Sequence, residues 1–261
     1  MFHKTKTFKL LLITAILIIT LTIIFLAVKL IKKSNAEKNI QSKTIFSIDK
    51  IVLYSSASAI KNNNTYQKAY WDLDIYQFTD IAIYLNNKVS SNELSQENTV
   101  KTLFIDNINF TQIPQNGTPS LYYKKYSDFG LDKFSKENII NNDVEFQIYS
   151  NGENNYDSPA FYTDCSNPIT LTYVNNNIVT NFLLLDNENP ITYNGTLLKR
   201  ANIPLSSISA NISFNVNVVN NLNETFTTNI IIPINFKNNT SSIYDGSITE
   251  TQNTNFVLEK I

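Results

Sequence analysis

Asn211-Ile-Ser-Phe-Asn-Val-Asn-Val218 decides the fold of this chain, because its side chains alternate strictly between polar and apolar. Ile212, Phe214, Val216 and Val218 fall on one side and Asn211, Ser213, Asn215 and Asn217 on the other, the period-2 pattern of a strand with one buried face. Phe226, Thr228, Ile230, Ile232, Ile234 and Phe236 repeat the pattern after the turn-forming cluster Asn220-Asn-Leu-Asn-Glu224, which predicts a hairpin. Pairing about Leu222 sets Ile212 opposite Ile232 and Phe214 opposite Ile230, so both apolar rows share one face. Pro233 has no N–H to give, which places the second strand at a sheet edge or gives it a bulge.

Working outward, shorter runs rich in β-branched and aromatic residues occur at Ile45 to Tyr54, Ala69 to Phe78, Asp80 to Leu85, Val100 to Phe110, Val144 to Tyr149, Ile169 to Val174, Ile178 to Leu185 and Phe256 to Ile261. Turn chemistry separates them at Asn62-Asn-Asn64, Gln115-Asn-Gly-Thr118, Asn175-Asn-Asn177 and Asp186-Asn-Glu-Asn-Pro190. About ten strands with short polar turns predict an all-β antiparallel sandwich, immunoglobulin-like or jelly-roll-like, over residues 45–261. A short helix is expected over Lys133 to Ile140. Two small sandwiches meeting near 150–158 are the alternative; one domain is preferred because that stretch is short and holds no Pro-rich or Ser-rich linker.

The N-terminal part has different physics. Leu10 to Val28 is an unbroken uncharged run between Lys9 and Lys29. About 19 residues at roughly 1.5 Å each match the hydrocarbon thickness of a bilayer. A cleavable secretory signal has a shorter apolar core with small residues close behind it. Here Lys29, Lys32 and Lys33 stand before Ser34 and Ala36, and no Cys follows that could carry a lipid. The expected organisation is a short tail over 1–9, a retained transmembrane signal anchor over 10–28, a polar stalk over 29–44 and the sandwich over 45–261.

Charge divides the chain at the same place. Residues 1–44 carry eight Lys against a single Glu, and residues 45–261 carry 13 Lys and Arg against 21 Asp and Glu. An anionic domain repels nucleic acid, whose binding rests on cations that neutralise phosphates. The basic part flanks the span, where it suits anionic lipid headgroups. Lys and Arg are nearly balanced on the two sides of the run, so orientation rests on the acidic domain, which leans outward. A single-pass protein of the cell membrane with an extracytoplasmic C-terminal domain is the expectation.

Abundant Asn, Ile, Lys, Tyr and Phe, with a single Arg at Arg200, indicate A/T-rich codons. With 39 Asn in the chain, several of the N-x-S/T triplets beginning at Asn63, Asn109, Asn116, Asn194, Asn211, Asn223, Asn238 and Asn239 are expected by chance, and they would matter only in a eukaryotic secretory route.

Cys165 is the one cysteine and His3 the one histidine, the latter in the tail. An intrachain disulfide, a Ser-His-Asp or Cys-His pair within the domain, and a zinc site of His or paired Cys are thereby excluded for a single chain. Asp164 beside Cys165 opposes thiolate formation, so a buried small hydrophobe is its expected role.

Three constellations could carry chemistry. In Tyr70-Trp-Asp-Leu-Asp-Ile75, strand periodicity puts Asp72 and Asp74 on one face and Trp71, Leu73 and Ile75 on the other; two such carboxylates suit a hard cation or acid and base work. The oxygen-rich Asn151-Gly-Glu-Asn-Asn-Tyr-Asp157 has calcium-friendly side chains without EF-hand spacing. Tyr122-Tyr-Lys-Lys-Tyr126 offers rings that could stack on sugars. Each is outweighed by an ordinary structural role, so no catalytic, cofactor or metal residue is assigned, and no cofactor is expected.

Two functions of different class remain. The first is a non-catalytic, membrane-anchored sandwich that binds or scaffolds at the cell envelope, with membrane lipid as partner through the N-terminal helix and an envelope protein or glycan through the domain, and no nucleic acid. The second is a carboxylate-dependent surface hydrolase or lyase acting on cell-wall or glycan substrates.

Overall fold

The computed structural model describes residues 19–20, 22–29 and 32 near the N-terminus, and 45–62, 70–86, 96–147, 168–185 and 191–261 beyond it. The chain divides into two compact units, Met1–Thr44 and Ile45–Ile261. In the first, residues 19–20 and 22–29 are helical, with Ile23, Ile24, Phe25 and Leu26 exposed. No helix among the described residues is long and apolar enough to cross a membrane. Residues 10–18 and 21 of the expected span lie outside the described residues, as do His3, most of the stalk, the loop Asn151 to Asp157, Cys165 and the turn Asp186 to Pro190.

The second unit is built of antiparallel strands: β1 (Ser47–Lys61), β2 (Tyr70–Asn86), β3 (Val100–Gln112), β4 (Thr118–Tyr123), β5 (Ile139–Ile140), β6 (Val144–Gln147), β7 (Ile169–Leu185), β8 (Ala210–Asn220), β9 (Thr225–Ile234), β10 (Ser247–Val257) and β11 (Glu259–Lys260). They form two sheets, β10-β1-β2-β7-β4-β5 and β11-β9-β8-β3-β6. One apolar core lies between them: Ile48, Leu53, Ile81 and Leu171 from the first sheet pack with Leu103, Ile105, Phe214 and Ile230 from the second. All-β sandwich is therefore the architecture of the described domain.

The hairpin that decides the fold has the expected register. Ile212 faces Ile232, Phe214 faces Ile230, and Ile212, Phe214, Val216, Val218, Ile230, Ile232 and Ile234 are all buried. On its other side, among the described residues, β9 is paired only at Phe226 and Thr227, by β11, so Pro233 sits where these strands make no demand on the missing N–H.

Elsewhere the boundaries shift. The runs expected on either side of Thr79 are one strand, β2, and those on either side of Asn175 to Asn177 are one strand, β7. Asn tolerates the left-handed region better than other side chains with a Cβ. Asn177 and Asn181 take φ of 54° each, and the pairing of β7 with β2 is irregular near them, so the Asn cluster kinks the strand where a turn was expected. Lys133 to Ile140 contains only a 3₁₀ turn at Lys136–Asn138, because Ile139 and Ile140 are drawn into β5 against β4 and too few residues remain for a helix. Two short helices, α1 (Thr196–Arg200) and α2 (Leu205–Ile208), bury Leu197, Leu198, Leu205 and Ile208. Gly117 needs its glycine twice over. Its φ is +96°, and a Cβ there would come within 2.1 Å of the Asn175 amide oxygen.

Candidate functional site

From Gln77 to Ile83, β2 is buried without interruption. Its inward side chains belong to the sandwich: Ile81 and Ile83 join the main core, and Gln77 and the Ser55 hydroxyl both bond the Thr79 hydroxyl, at 2.6 and 2.8 Å. Its outward side chains Phe78, Asp80 and Ala82 are buried, and Phe78 and Asp80 are met from outside by the chain that leaves β4. This segment, Lys124 to Ser135, crosses the outer face of the six-stranded sheet and returns through β5 to pair with β4. Phe78, Tyr122 and Val174 form a small second core there, with Tyr54, Tyr76 and Phe134 against it. Phe134 stacks edge-on to Tyr76 at 5.9 Å and lies 5.2 Å from Tyr122, ring centre to ring centre.

An ion pair fastens the strap. The Lys124 ammonium lies 2.8 Å from each carboxylate oxygen of Asp80, with the two side chains 1% and 0% exposed. Asp80 also accepts the Gly130 N–H at 2.7 Å on Oδ2 and the Thr172 hydroxyl at 2.5 Å on Oδ1, while Lys124 donates to the Leu131 carbonyl. Gly130 reaches this position at φ +80°. Burial pushes the Asp80 carboxyl above its ordinary range, against the pull of Lys124, Thr172 and Gly130. At the margin, the Tyr76 hydroxyl donates to both oxygens of Asp132, and burial followed by that carboxylate raises the Tyr76 phenol. Burial and the neighbouring Tyr126 hydroxyl at 3.3 Å push Tyr84 up to about 12.

The structure thus splits the Tyr122 to Tyr126 motif. Tyr123 turns into the main core, Tyr122 into the outer one and Lys124 into the ion pair, leaving Lys125 and Tyr126 exposed. A row of free rings for sugar stacking is not formed by Tyr122 and Tyr123, both of which are 6% exposed. The buried pair itself went unassigned from sequence. Its trace was a charge, Asp80, inside the apolar run Ile75 to Leu85, since a buried charge requires a partner.

Asp72 and Asp74 do share one face of β2. The Asn62 amide donates to both, at 3.2 and 2.8 Å, and the Asn181 N–H donates to Asp74 at 2.8 Å. The carboxylates thereby tie the β1–β2 end and the Asn181 kink of β7 together. Trp71 is half-buried against the core with the Lys61 ammonium 3.6 Å from its ring centre. Among the described residues no group of three or more His, Cys, Asp or Glu could hold a metal ion.

Two further surfaces complete the inventory. A groove of about 530 Å³ lies between α2 and the end of β9, with Leu205, Phe236 and Tyr244 among apolar walls and Ser206, Ser209 and Lys237 among polar ones. Second, β10 lies at the edge of its sheet and, among the described residues, pairs with β1 alone. Its sequence, SITETQNTNFV, contains one charge, Glu250, and neither Lys nor Pro. No family model, curated protein or solved structure matches the chain.

Proposed function

We propose that this is a membrane-tethered, extracytoplasmic β-sandwich with a non-catalytic role at the cell envelope, and that it binds an extended segment of an envelope protein by adding it as a strand beside β10. The tether is the apolar run 10–28, and the outward placement rests on the acidic balance of the domain. One observation carries the binding mode: the outer edge of β10, which no strand pairs among the described residues. Edge strands are normally blunted by Lys, Pro, bulges or covering chain, because their unpaired N–H and C=O groups template further strands. From Ser247 to Asn253 the edge has only Glu250 as a guard, and the irregularity in its pairing with β1 comes after that stretch, where Ile48 gives way to Lys50. The carboxylates Asp72 and Asp74 are engaged by Asn62 and Asn181, and nothing at that pair favours the hydrolase alternative.

The test uses the full-length chain in its membrane. Crosslinking followed by amide hydrogen exchange is expected to find a partner segment whose binding slows exchange at residues 247–253. A variant carrying T249K, T251K and N253K should fold and lose that partner. Capture that leaves 247–253 unprotected defeats the binding mode. Protease treatment of intact cells bearing an epitope after Ile261 tests the side of the membrane, and loss of the epitope is the expected result.

A further inference from the structure

We propose that Lys124 and Asp80 condense into an amide bond that staples the strap covalently to the outer face of the six-stranded sheet. The reacting atoms are already juxtaposed. The Lys124 nitrogen is 2.8 Å from both Asp80 oxygens and so faces the Cγ between them, and both side chains are held by surrounding groups rather than free to rotate. Holding an amine against a carboxyl in this way supplies the proximity that a bimolecular condensation lacks. Burial does the rest. Burial raises the Asp80 carboxyl above its ordinary range, and one proton passed across the 2.8 Å contact gives amine plus neutral acid without changing net charge. The Phe78 ring centre is 5.3 Å from the amine, and Phe78, Val174 and Tyr122 keep the site dry, which protects a finished amide from hydrolysis.

The neighbours divide the labour between the two oxygens. The Gly130 N–H bonds Oδ2, where it stabilises the negative charge that develops as nitrogen adds to Cγ. The Thr172 hydroxyl bonds Oδ1, which marks Oδ1 as the leaving oxygen and Thr172 as the relay that hands it protons from nitrogen. The N–Cγ bond forms and the Cγ–Oδ1 bond breaks. Of the three ammonium protons, one stays as the amide N–H and two depart with Oδ1 as a molecule of water, so no oxidant or co-reactant is needed. The product is fully partnered by groups in place: the amide oxygen keeps the Gly130 N–H, and the amide N–H keeps the Leu131 carbonyl. An amide there removes the buried charges while losing no hydrogen bond that the product requires.

Peptide mapping of the purified full-length protein decides the matter without any variant. Trypsin should fail to cut after Lys124 and should release a branched peptide joining residues 69–88 to 102–125, lighter by one molecule of water than its two arms. Separate, unmodified peptides ending at Lys88 and Lys124 overturn the proposal. The near-isosteric T172V variant keeps the buried pair and is expected to accumulate the uncondensed peptides in freshly made protein; full condensation there at the rate of the parent chain overturns the relay role of Thr172.

Discussion

Both faces of the six-stranded sheet bury side chains at its centre, yet for different reasons. The inner face is covered by the second sheet, and its burial follows from side-chain alternation repeated strand after strand. The centre of the outer face is covered, among the described residues, by the irregular segment Lys124 to Ser135, fastened by the Lys124–Asp80 contact, the hydrogen bonds from Tyr76 to Asp132 and a few rings. The first kind of burial is cooperative and spread over many residues, whereas the second depends on particular atoms. Mutation should therefore act differently on the two faces.

The largest effect is expected from K124M, which leaves the Asp80 carboxylate buried without its counter-charge and should cost about 3–5 kcal/mol, read from urea unfolding of the full-length chain. Replacing both partners, K124M with D80L, should recover the part of that loss that comes from the unpaired carboxylate. If the single variant is as stable as the parent, the strap does not depend on the pair. On the inner face, I83A removes a fully buried side chain and is expected to cost about 2–5 kcal/mol by the same measurement. F134A, on the half-buried strap, should cost less, about 2 kcal/mol, and should raise the protease sensitivity of residues 124–135 before that of the sandwich. An F134A cost equal to that of I83A would make the outer cluster a core of the same standing.

The edge variant T249K, T251K and N253K should change stability by no more than about 0.5 kcal/mol per site, since all three side chains are exposed. The smallest effect concerns Glu224 at the β8–β9 turn. Hydrogen bonds from Lys260 and Asn220 hold its carboxyl below the usual range. Its contribution is complete above the unfolded value of about 4.3 and is lost as pH falls through the lower folded value. E224Q should accordingly narrow the stability difference between neutral and acid pH slightly, as seen in paired unfolding curves.

How far the sequence foretold these faces follows from the same contrast. The β8–β9 register was legible to the residue, since strict alternation and a clear turn cluster left one pairing that puts both apolar rows together. β2 was read as two strands because Thr79 and Asp80 interrupt its apolar pattern; Thr79 bonds Ser55 within the core and Asp80 bonds Lys124 of the strap, both distant in sequence. The Asn run in β7 carries turn chemistry and became a kink, since the flanking residues gain more from continuing to pair with β2 and β4. β10 was missed over most of its length because an edge strand with one buried residue, Ile248, has little alternation to display. Asp72 and Asp74 were placed correctly on one face, but their binding to Asn62 and Asn181 depended on contacts across strands.

The last long strand lies against the first: β10 runs beside β1 from Ser47 opposite Val257 to Ser56 opposite Ser247. Because the two strands are antiparallel, the chain enters at Ser47 and leaves at Val257 on the same end of that ladder. Once β11 has come away from β9, a pull between Ile45 and the C-terminal end of β10 meets the nine matched positions one after another, beginning at Ser47 and Val257. Such a joint opens like a zipper, step by step and at low force.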